Sequence, residues 1–255
     1  DLGNDAFRGL SNLLSIKLPK DLVRIGNDMF CNCSGLTSVT IPNSVTSIGY
    51  EAFGGCTGLT SVTIPNSVTS IGGSAFYGCG ALANVAMGNS VTSIGQWAFY
   101  YCSALKEIKL PPTLQTIDSR AFYECASLTE VRLPSSILSV AGSAFERCNA
   151  IKNVYTYTIE PTSIAESTFT TSVFQNATLH VPSTSYWNYY WDDGWKRFLN
   201  LTYFDEPYDY FYLNNDYTLD EETGYIDGTP DVDINAGGGL VVEGETGDTE
   251  DVKQE

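Results

Sequence analysis

The stretch GLTSVTIPNSVTSIG occupies residues 35–49, and the same fifteen letters return without a change at residues 58–72. The second copy begins 23 residues after the first. A repeat of this length is typical of a solenoid, in which each copy forms one turn of the chain and packs only against its neighbours. The sequence therefore predicts a stack of similar turns.

Four columns of side chains keep the 23-residue period outside the identical copies as well. One turn buries too little apolar surface to be stable by itself, so neighbouring turns must stack and share one core. The columns are Phe7, Phe30, Phe53, Phe76, Phe99, Phe122 and Phe145; Cys33, Cys56, Cys79, Cys102, Cys125 and Cys148; Leu36, Leu59, Leu82, Leu105 and Leu128; and Ile25, Ile48, Ile71, Ile94 and Ile117.

A single copy predicts two extended stretches and a bend. Alternation directs Val39 and Ile41 inward on a strand that ends at Pro42, because proline cannot donate a ladder hydrogen bond. A second, shorter extended stretch is expected at residues 45–48 on the opposite side of the turn. A tight bend of the 3₁₀ type then follows at residues 52–56.

The order L-x-x-L-x-L-P-x-x-L-x-x-I-x-x-x-A-F-x-x-C resembles the BspA-type leucine-rich repeat of bacterial surface proteins. Six copies carry the A/M-F-x-x-C ending, and the resemblance covers about residues 1–204. The matching residues in one copy are Leu59, Val62, Ile64, Pro65, Val68, Ile71, Ala75, Phe76 and Cys79. The departures are Leu10 for the first Cys, Met29 for an Ala, Gly88 for a Pro, and an eighth strand, Leu179–Pro182, that follows Val154 by 25 residues.

This resemblance implies a leucine-rich repeat solenoid of about eight turns. Its parallel β-strands would lie on the concave side, and short extended or 3₁₀ segments on the convex side. It also implies a bacterial cell-surface or secreted protein that mediates protein–protein interaction or adhesion. An extracellular location and a protein partner, such as a host matrix or plasma protein, follow from the same resemblance.

The net charge of −17 is concentrated at the C-terminus. Residues 205–255 hold 16 of the 30 acidic side chains and one basic one, Lys253, which leaves residues 1–204 with a net charge of −2. No basic stripe is available to neutralise phosphates, so we expect no nucleic-acid partner. No apolar run approaches the ~18 residues that a membrane-spanning helix needs. The chain opens at Asp1 inside a repeat, and we expect its natural start to be trimmed.

The C-terminal region predicts a cap and an extension. Residues 183–204 are aromatic and predict a short capping helix that Ser183 or Ser185 begins. Residues 205–245 predict an acidic, β-rich extension, with residues 246–255 as an acidic tail. The aromatic residues expected to cover the last turn are Trp187, Tyr190, Trp191, Trp195 and Phe198. Turns are expected at Glu222–Gly224 and Gly237–Gly239, and a strand at Leu240–Val242.

The cysteine column permits two interpretations. Stacked cysteines lie within the permitted Cα distance of a disulfide, but their parallel side chains suit its geometry poorly, so we expect buried free thiols. Cys31 lies outside the column and is expected to be the reactive thiol. A metal site at Cys31 and Cys33 lacks further ligands. Calcium at the acidic extension stays open; its candidate ligands are Asp216, Asp220, Glu221, Asp227, Asp231 and Asp233.

Catalytic residues are not apparent. The single histidine, His180, is expected to point outward from the eighth strand with no nucleophile beside it. The carboxylates of the repeats are scattered over different columns, which offers no acid–base pair. We therefore expect no enzymatic activity, and no cofactor is assigned.

Two outward-facing columns are candidate binding surfaces. On the concave strands, Glu107, Lys109, Glu130 and Arg132 form a strip of mixed charge. In the column after the phenylalanines, Tyr77, Tyr100 and Tyr123 recur on consecutive turns and should stack. Nearby Trp97 and Tyr101 enlarge this tyrosine stripe. Exposed tyrosines combine apolar area with a polar group and are favoured at interfaces.

Three functions stay open at this point. Protein adhesion through the charged strip should be sensitive to salt. Glycan binding through the tyrosine stripe should depend on the aromatic residues and tolerate salt. A structural spacer, which only holds a neighbouring domain away from the cell, should bind neither class of ligand.

Overall fold

A computed structural model describes residues 2–205 and the short stretches 218–219 and 226–227. Residues 2–205 wind into a solenoid of about eight turns, which confirms the predicted leucine-rich repeat fold. The front strands are β1 (Ser15–Lys17), β3 (Ser38–Thr40), β5 (Ser61–Ile64), β7 (Asn84–Met87), β10 (Glu130–Leu133), β12 (Asn153–Thr156), β13 (Thr178–Pro182) and β14 (Asn200–Phe204). The back strands are β2 (Arg24–Ile25), β4 (Ser47–Ile48), β6 (Ser70–Ile71), β8 (Ser93–Ile94), β9 (Thr116–Ile117) and β11 (Ser139–Val140).

Both sides of the solenoid are parallel sheets in the register that the repeat predicts. Ile48 pairs with Ile71 in the back sheet, which runs unbroken in the order β11-β9-β8-β6-β4-β2. Ile16 pairs with Val39 on the front. Because partners are 23 residues apart, every inward position meets its own copy in the next turn.

The front is divided into two sheets, β1-β3-β5-β7 and β10-β12-β13-β14. Residues 106–110, which the repeat places between them, form no strand, although Ile108 and Leu110 are buried as predicted. This turn alone follows its strand position with two prolines, Pro111 and Pro112. The second proline restricts the backbone of the first to extended conformations and removes another donor.

A third side of the solenoid, the turn edge, consists of residues 49–57 and their equivalents in the other turns. Consecutive turns here are closed by bonds of the expected i→i+3 type, such as Cys56 N–H to the Phe53 carbonyl at 3.2 Å. The turns are also joined to each other, because Phe76 N–H donates to the Ala98 carbonyl at 2.7 Å. The turn edge is thus a third hydrogen-bonded ladder beside the two faces of strands.

The phenylalanine column forms one continuous stack of rings beneath the turn edge. Successive rings lie 5.1–5.4 Å apart with interplanar angles of at most 10°. The stack continues to Phe169, which follows Phe145 by 24 residues and therefore escaped the 23-residue pattern. From Phe30 to Phe169 every ring in the column is buried, so the stack is the core of the solenoid along this edge.

The cysteine column joins neighbouring turns by hydrogen bonds. Cys79 Sγ donates to the Phe53 carbonyl at 3.1 Å, and Cys148 Sγ donates to the Phe122 carbonyl at 2.9 Å. All seven cysteines lie in the described part of the chain and are free, as expected. Burial raises the pKa of Cys56 to about 12, so the thiols stay protonated as donors.

Cys31 is buried, which makes its predicted role as the exposed, reactive thiol wrong. Its side chain is 4% exposed, and burial raises its pKa. The Sγ atom lies 3.8 Å from Oε2 of Glu51, one turn further along. The column pattern carried no information about this neighbour, which covers the thiol from the side.

The C-terminal end is closed by aromatic residues on short helices. These are α1 (Thr171–Asn176), which the sequence did not predict, α2 (Tyr186–Trp191), and 3₁₀ turns at Ser183–Ser185 and Trp195–Arg197. Trp195 is buried as predicted, and its Nε1–H donates to the Thr162 carbonyl at 2.6 Å. Phe198 is buried beside it, with ring centroids 6.0 Å apart.

Other expectations about the cap were wrong. Trp187, Tyr190 and Trp191 are exposed, because positions three and four apart share the outer face of α2. Tyr189 faces inward instead, where its hydroxyl lies 2.9 Å from Thr156 Oγ1. Ser185 stands at the start of α2 without a side-chain capping bond, and its buried Oγ has no hydrogen-bond partner in the described part of the chain.

Beyond Asp205 the structure describes one antiparallel pair, β15 (Thr218–Leu219) with β16 (Ile226–Asp227). The remainder of the predicted extension and tail, including its turns, its strand at 240–242 and the calcium candidates, lies outside the described residues. In the part of the chain that is described, no helix is both long and apolar enough to cross a bilayer.

Removing one ring from the phenylalanine stack tests its role in stability. Phe99→Ala should lower the free energy of unfolding by about 3–5 kcal/mol, because it opens a cavity between two stacked rings. Gln96→Ala, an exposed change in the same turn, should stay within about 0.5 kcal/mol. Urea unfolding measures both, and equal midpoints for the two variants would contradict the stack as the core.

Thiol reactivity tests the burial of the cysteines. A disulfide reagent at pH 8 should react slowly with the native chain and with all seven cysteines after denaturation, because only exposed thiolates attack quickly. The same assay on Cys31→Ser should give an unchanged native rate. A single fast thiol that disappears in Cys31→Ser would show that Cys31 is accessible after all.

Candidate functional site

The predicted tyrosine stripe is a stack of rings on the outside of the turn edge. Tyr77 and Tyr100 are 5.1 Å apart and Tyr100 and Tyr123 are 4.8 Å apart, with interplanar angles of 13° and 5°. Tyr101 meets Tyr100 edge to face at 4.6 Å. These four tyrosines and Trp97 are called the aromatic edge below.

Stacking determines which parts of the tyrosines face solvent. Both faces of Tyr100 are covered by its neighbours, so its ring edge and hydroxyl are what it can offer. The outer face of Tyr123 is covered by the Arg147 guanidinium, 5.5 Å from the ring centroid. One ring face of the stack stays uncovered by any ring or guanidinium of the described residues, that of Tyr77 toward Gly54.

Two residues of the aromatic edge have strained backbones. Trp97 has φ = 61° and Tyr101 has φ = 60°, a left-handed conformation that costs a bulky residue about 1–2 kcal/mol. In the column of Tyr101, the equivalent positions Gly55 and Gly78 adopt the same region without this cost. Glycine therefore satisfies the fold at this position, and the tyrosine must be retained for its side chain.

A cavity of about 400 Å³ opens beside the stack. Ser74 is a small, buried residue of the cavity wall, in the column where the neighbouring turns carry Glu51 and Trp97. Glu51 and Arg120 stand three turns apart in that column, so the cavity has an acidic and a basic end. Its lining is Tyr50, Glu51, Ser74, Tyr77, Trp97, Tyr100 and Arg120.

Acidic groups gather at the N-terminal end of the turn edge. One ligand atom each of Asp28, Cys31 and Glu51 lies within 4.8 Å of the others. Arg8 already pairs with Asp28 at 2.8 Å, which offsets part of the charge that would attract a metal ion. The predicted pairing of Cys31 with Cys33 is wrong, because Cys33 Sγ donates to the Phe7 carbonyl at 3.0 Å.

The charged strip on the front is largely satisfied within the chain. Arg132 Nε lies 2.5 Å from Glu130 Oε1, so these two candidate residues neutralise each other. Glu107 and Lys109 are exposed on the segment without strand structure, and neither forms an ion pair with any described residue. The structure thus brings one pair of the strip together and leaves the other pair in solvent.

Arg132 also begins a row of stacked planar groups. Its guanidinium carbon lies 3.9 Å from the Tyr155 ring centroid, and Tyr155 stacks on His180 at 4.1 Å. Burial and the charge of Arg132 lower the pKa of His180, which favours a neutral imidazole. His180 Nε2 lies 3.0 Å from Asn153 Oδ1, so the half-buried histidine has a structural partner rather than a nucleophile.

Several solved structures are similar to this chain. A leucine-rich repeat protein of T. pallidum is 25% identical, with a TM-score of 0.48 and coverage of 78% of this chain and 72% of that one. A leucine-rich repeat protein of Bacteroides ovatus is 23% identical, with a TM-score of 0.42 and coverage of 81% and 70%. A leucine-rich cell surface protein of Faecalibacterium prausnitzii is 21% identical, with a TM-score of 0.33 and coverage of 80% and 83%.

Sequence comparison supplies the family. No match was found among curated proteins. A family model described as "BspA type Leucine rich repeat region" matches six copies over residues 1–104 and 69–191, which together span most of the solenoid. The repeated A-F-x-x-C ending corresponds to the phenylalanine stack and the thiol ladder of the structure. The chain therefore belongs to the BspA-type leucine-rich repeat family.

Proposed function

We propose that this chain is an extracellular adhesion protein of a bacterial surface that binds a partner protein through its aromatic edge. The observation that carries the proposal is the backbone strain at Tyr101, whose column holds glycine in other turns. Strain that the fold does not require is typical of functional positions. The location at the surface rests on the family, as does a host matrix or plasma protein as the partner.

The family and the surface chemistry both favour a binding function. Leucine-rich repeat domains generally mediate protein interactions, and solenoids offer long, rigid surfaces for them. Tyr77 and Tyr101 are 42% and 44% exposed, in contact with further aromatic residues. The front strip is a weaker candidate, because Glu130 and Arg132 already pair. Exposed pairs of this kind contribute little to affinity.

Glycan binding is the second candidate function. The cavity of about 400 Å³ combines aromatic walls with polar groups, as small-ligand sites do. Sugar rings, however, stack on open aromatic faces, and the stack leaves one such face, on Tyr77. A structural spacer without a ligand would need neither the cavity nor the strained aromatic residues.

Replacement of the three stacked tyrosines tests the proposal. Tyr77/Tyr100/Tyr123→Ala should weaken binding to a matrix or plasma protein at least tenfold, because interface tyrosines carry much of the binding energy. A screen of immobilised host proteins and glycans at low and high salt, by surface plasmon resonance, measures this. Glu107→Gln/Lys109→Gln serves as the matched control on the front face.

The outcomes of this screen separate the three functions. Protein binding that the tyrosine variant loses and the front-face control retains supports the proposal. Salt-tolerant binding of glycans alone would replace it by the second candidate. Protein binding that survives in the tyrosine variant would contradict the aromatic edge as the contact surface.

A further inference from the structure

The two ends of the tyrosine stack differ in how they are covered. At the C-terminal end, the Arg147 guanidinium lies over Tyr123, with its carbon 5.5 Å from the ring centroid. The same guanidinium is paired with Glu124, at 3.0 Å between Nη1 and Oε1. A planar cation held by a carboxylate therefore closes this end of the stack, an arrangement that combines cation–π attraction with an ion pair.

The N-terminal end of the stack lacks such a cover. The residue that precedes Tyr77 in the column is Gly54, followed by Gly55, and neither has a side chain to place over the ring. Glu51 runs beside this vacant position: its Cβ and Cγ lie 3.5 Å from where a Cβ on Gly54 would be. Tyr77 and Glu51 also line the same cavity.

The charge around this end favours a cation. Arg8 pairs with Asp5 and Asp28, and Glu51 forms no ion pair with any described residue. Burial raises the pKa of Asp28, and repulsion from Glu51 adds to the shift. A second positive charge beside Glu51 would relieve this repulsion, since two carboxylates share one arginine here.

We propose that an arginine side chain of the partner protein docks on the open face of Tyr77 and pairs with Glu51. It would reproduce at this end the contact that Arg147 makes with Tyr123 and Glu124 at the other. The inference rests on the proposed function and names the group that the aromatic edge recognises. Arginine fits better than lysine, because its planar guanidinium stacks on a ring and binds a carboxylate through two N–H groups.

Two short peptides test this site on the full chain. Ligand-observed NMR titration compares N-acetyl-Gly-Arg-Gly-amide with N-acetyl-Gly-Lys-Gly-amide. The arginine peptide should bind about tenfold more tightly, a preference of about 1.4 kcal/mol. The acidic residues 205–255 attract both peptides alike, so the ratio of the two affinities reports on the site itself.

Single substitutions locate the preference. Tyr77→Ala and Glu51→Gln should each abolish it, the first by removing the ring and the second by removing the charge. Arg120→Gln, at the basic end of the same cavity, is the matched control and should retain the preference. Circular dichroism and the melting temperature verify that each variant is folded.

Other results would overturn the inference. Equal affinities for the two peptides, or a preference that persists in both Tyr77→Ala and Glu51→Gln, would refute the arginine site. Displacement of the arginine peptide by a neutral oligosaccharide would assign the Tyr77 face to a glycan. If partner binding is lost in the triple tyrosine variant and kept in Glu51→Gln, the proposed function stands and the arginine site falls.

Discussion

The register of 23 residues is the constraint on which the rest of this structure depends. Three ladders obey it at once: the front strands, the back strands and the hydrogen bonds of the turn edge, such as Phe76 N–H to the Ala98 carbonyl. The phenylalanine stack and the thiol bonds are further consequences, because each needs its copy in the adjoining turn. A shift by one residue would move inward side chains to the outer face in every ladder.

The same register arranges the outer surface in columns, and this explains how a repetitive fold acquires a distinctive surface. Where one column holds tyrosine in three consecutive turns, a stack forms; where it holds Gly54, a gap remains. Where small Ser74 lies between Glu51 and Trp97, a cavity opens. Variation at outward positions costs the fold little, so function can be placed there while the buried columns stay constant.

Periodicity determined how much the sequence could predict. The solenoid, its eight turns, the free thiols and the tyrosine stack all follow from columns of equal spacing, and the structure confirms them. Phe169 was missed because its spacing of 24 breaks the period, and α1 lies where the repeat degenerates. The burial of Cys31 depends on Glu51 in another column, and spacing gives no information on such lateral contacts.

Within the candidate site, one missing signal was available in the sequence. Glu130 and Arg132 lie two apart on a strand, which places them on the same face and permits their pairing. The cavity was not predictable in this way, since it depends on the side-chain conformations of several turns together. The exposure of Trp187 and Trp191 likewise depends on where α2 begins, which the absent serine cap left undefined.

Deletion of one whole turn tests the central role of the register most directly. Removal of residues 35–57 joins Ser34 to Gly58 and leaves every later column in register, so the shortened chain should unfold cooperatively with native-like circular dichroism. Removal of residues 36–57, one residue fewer, shifts every ladder at the junction and should abolish cooperative unfolding. Equal behaviour of the two deletions would contradict the account.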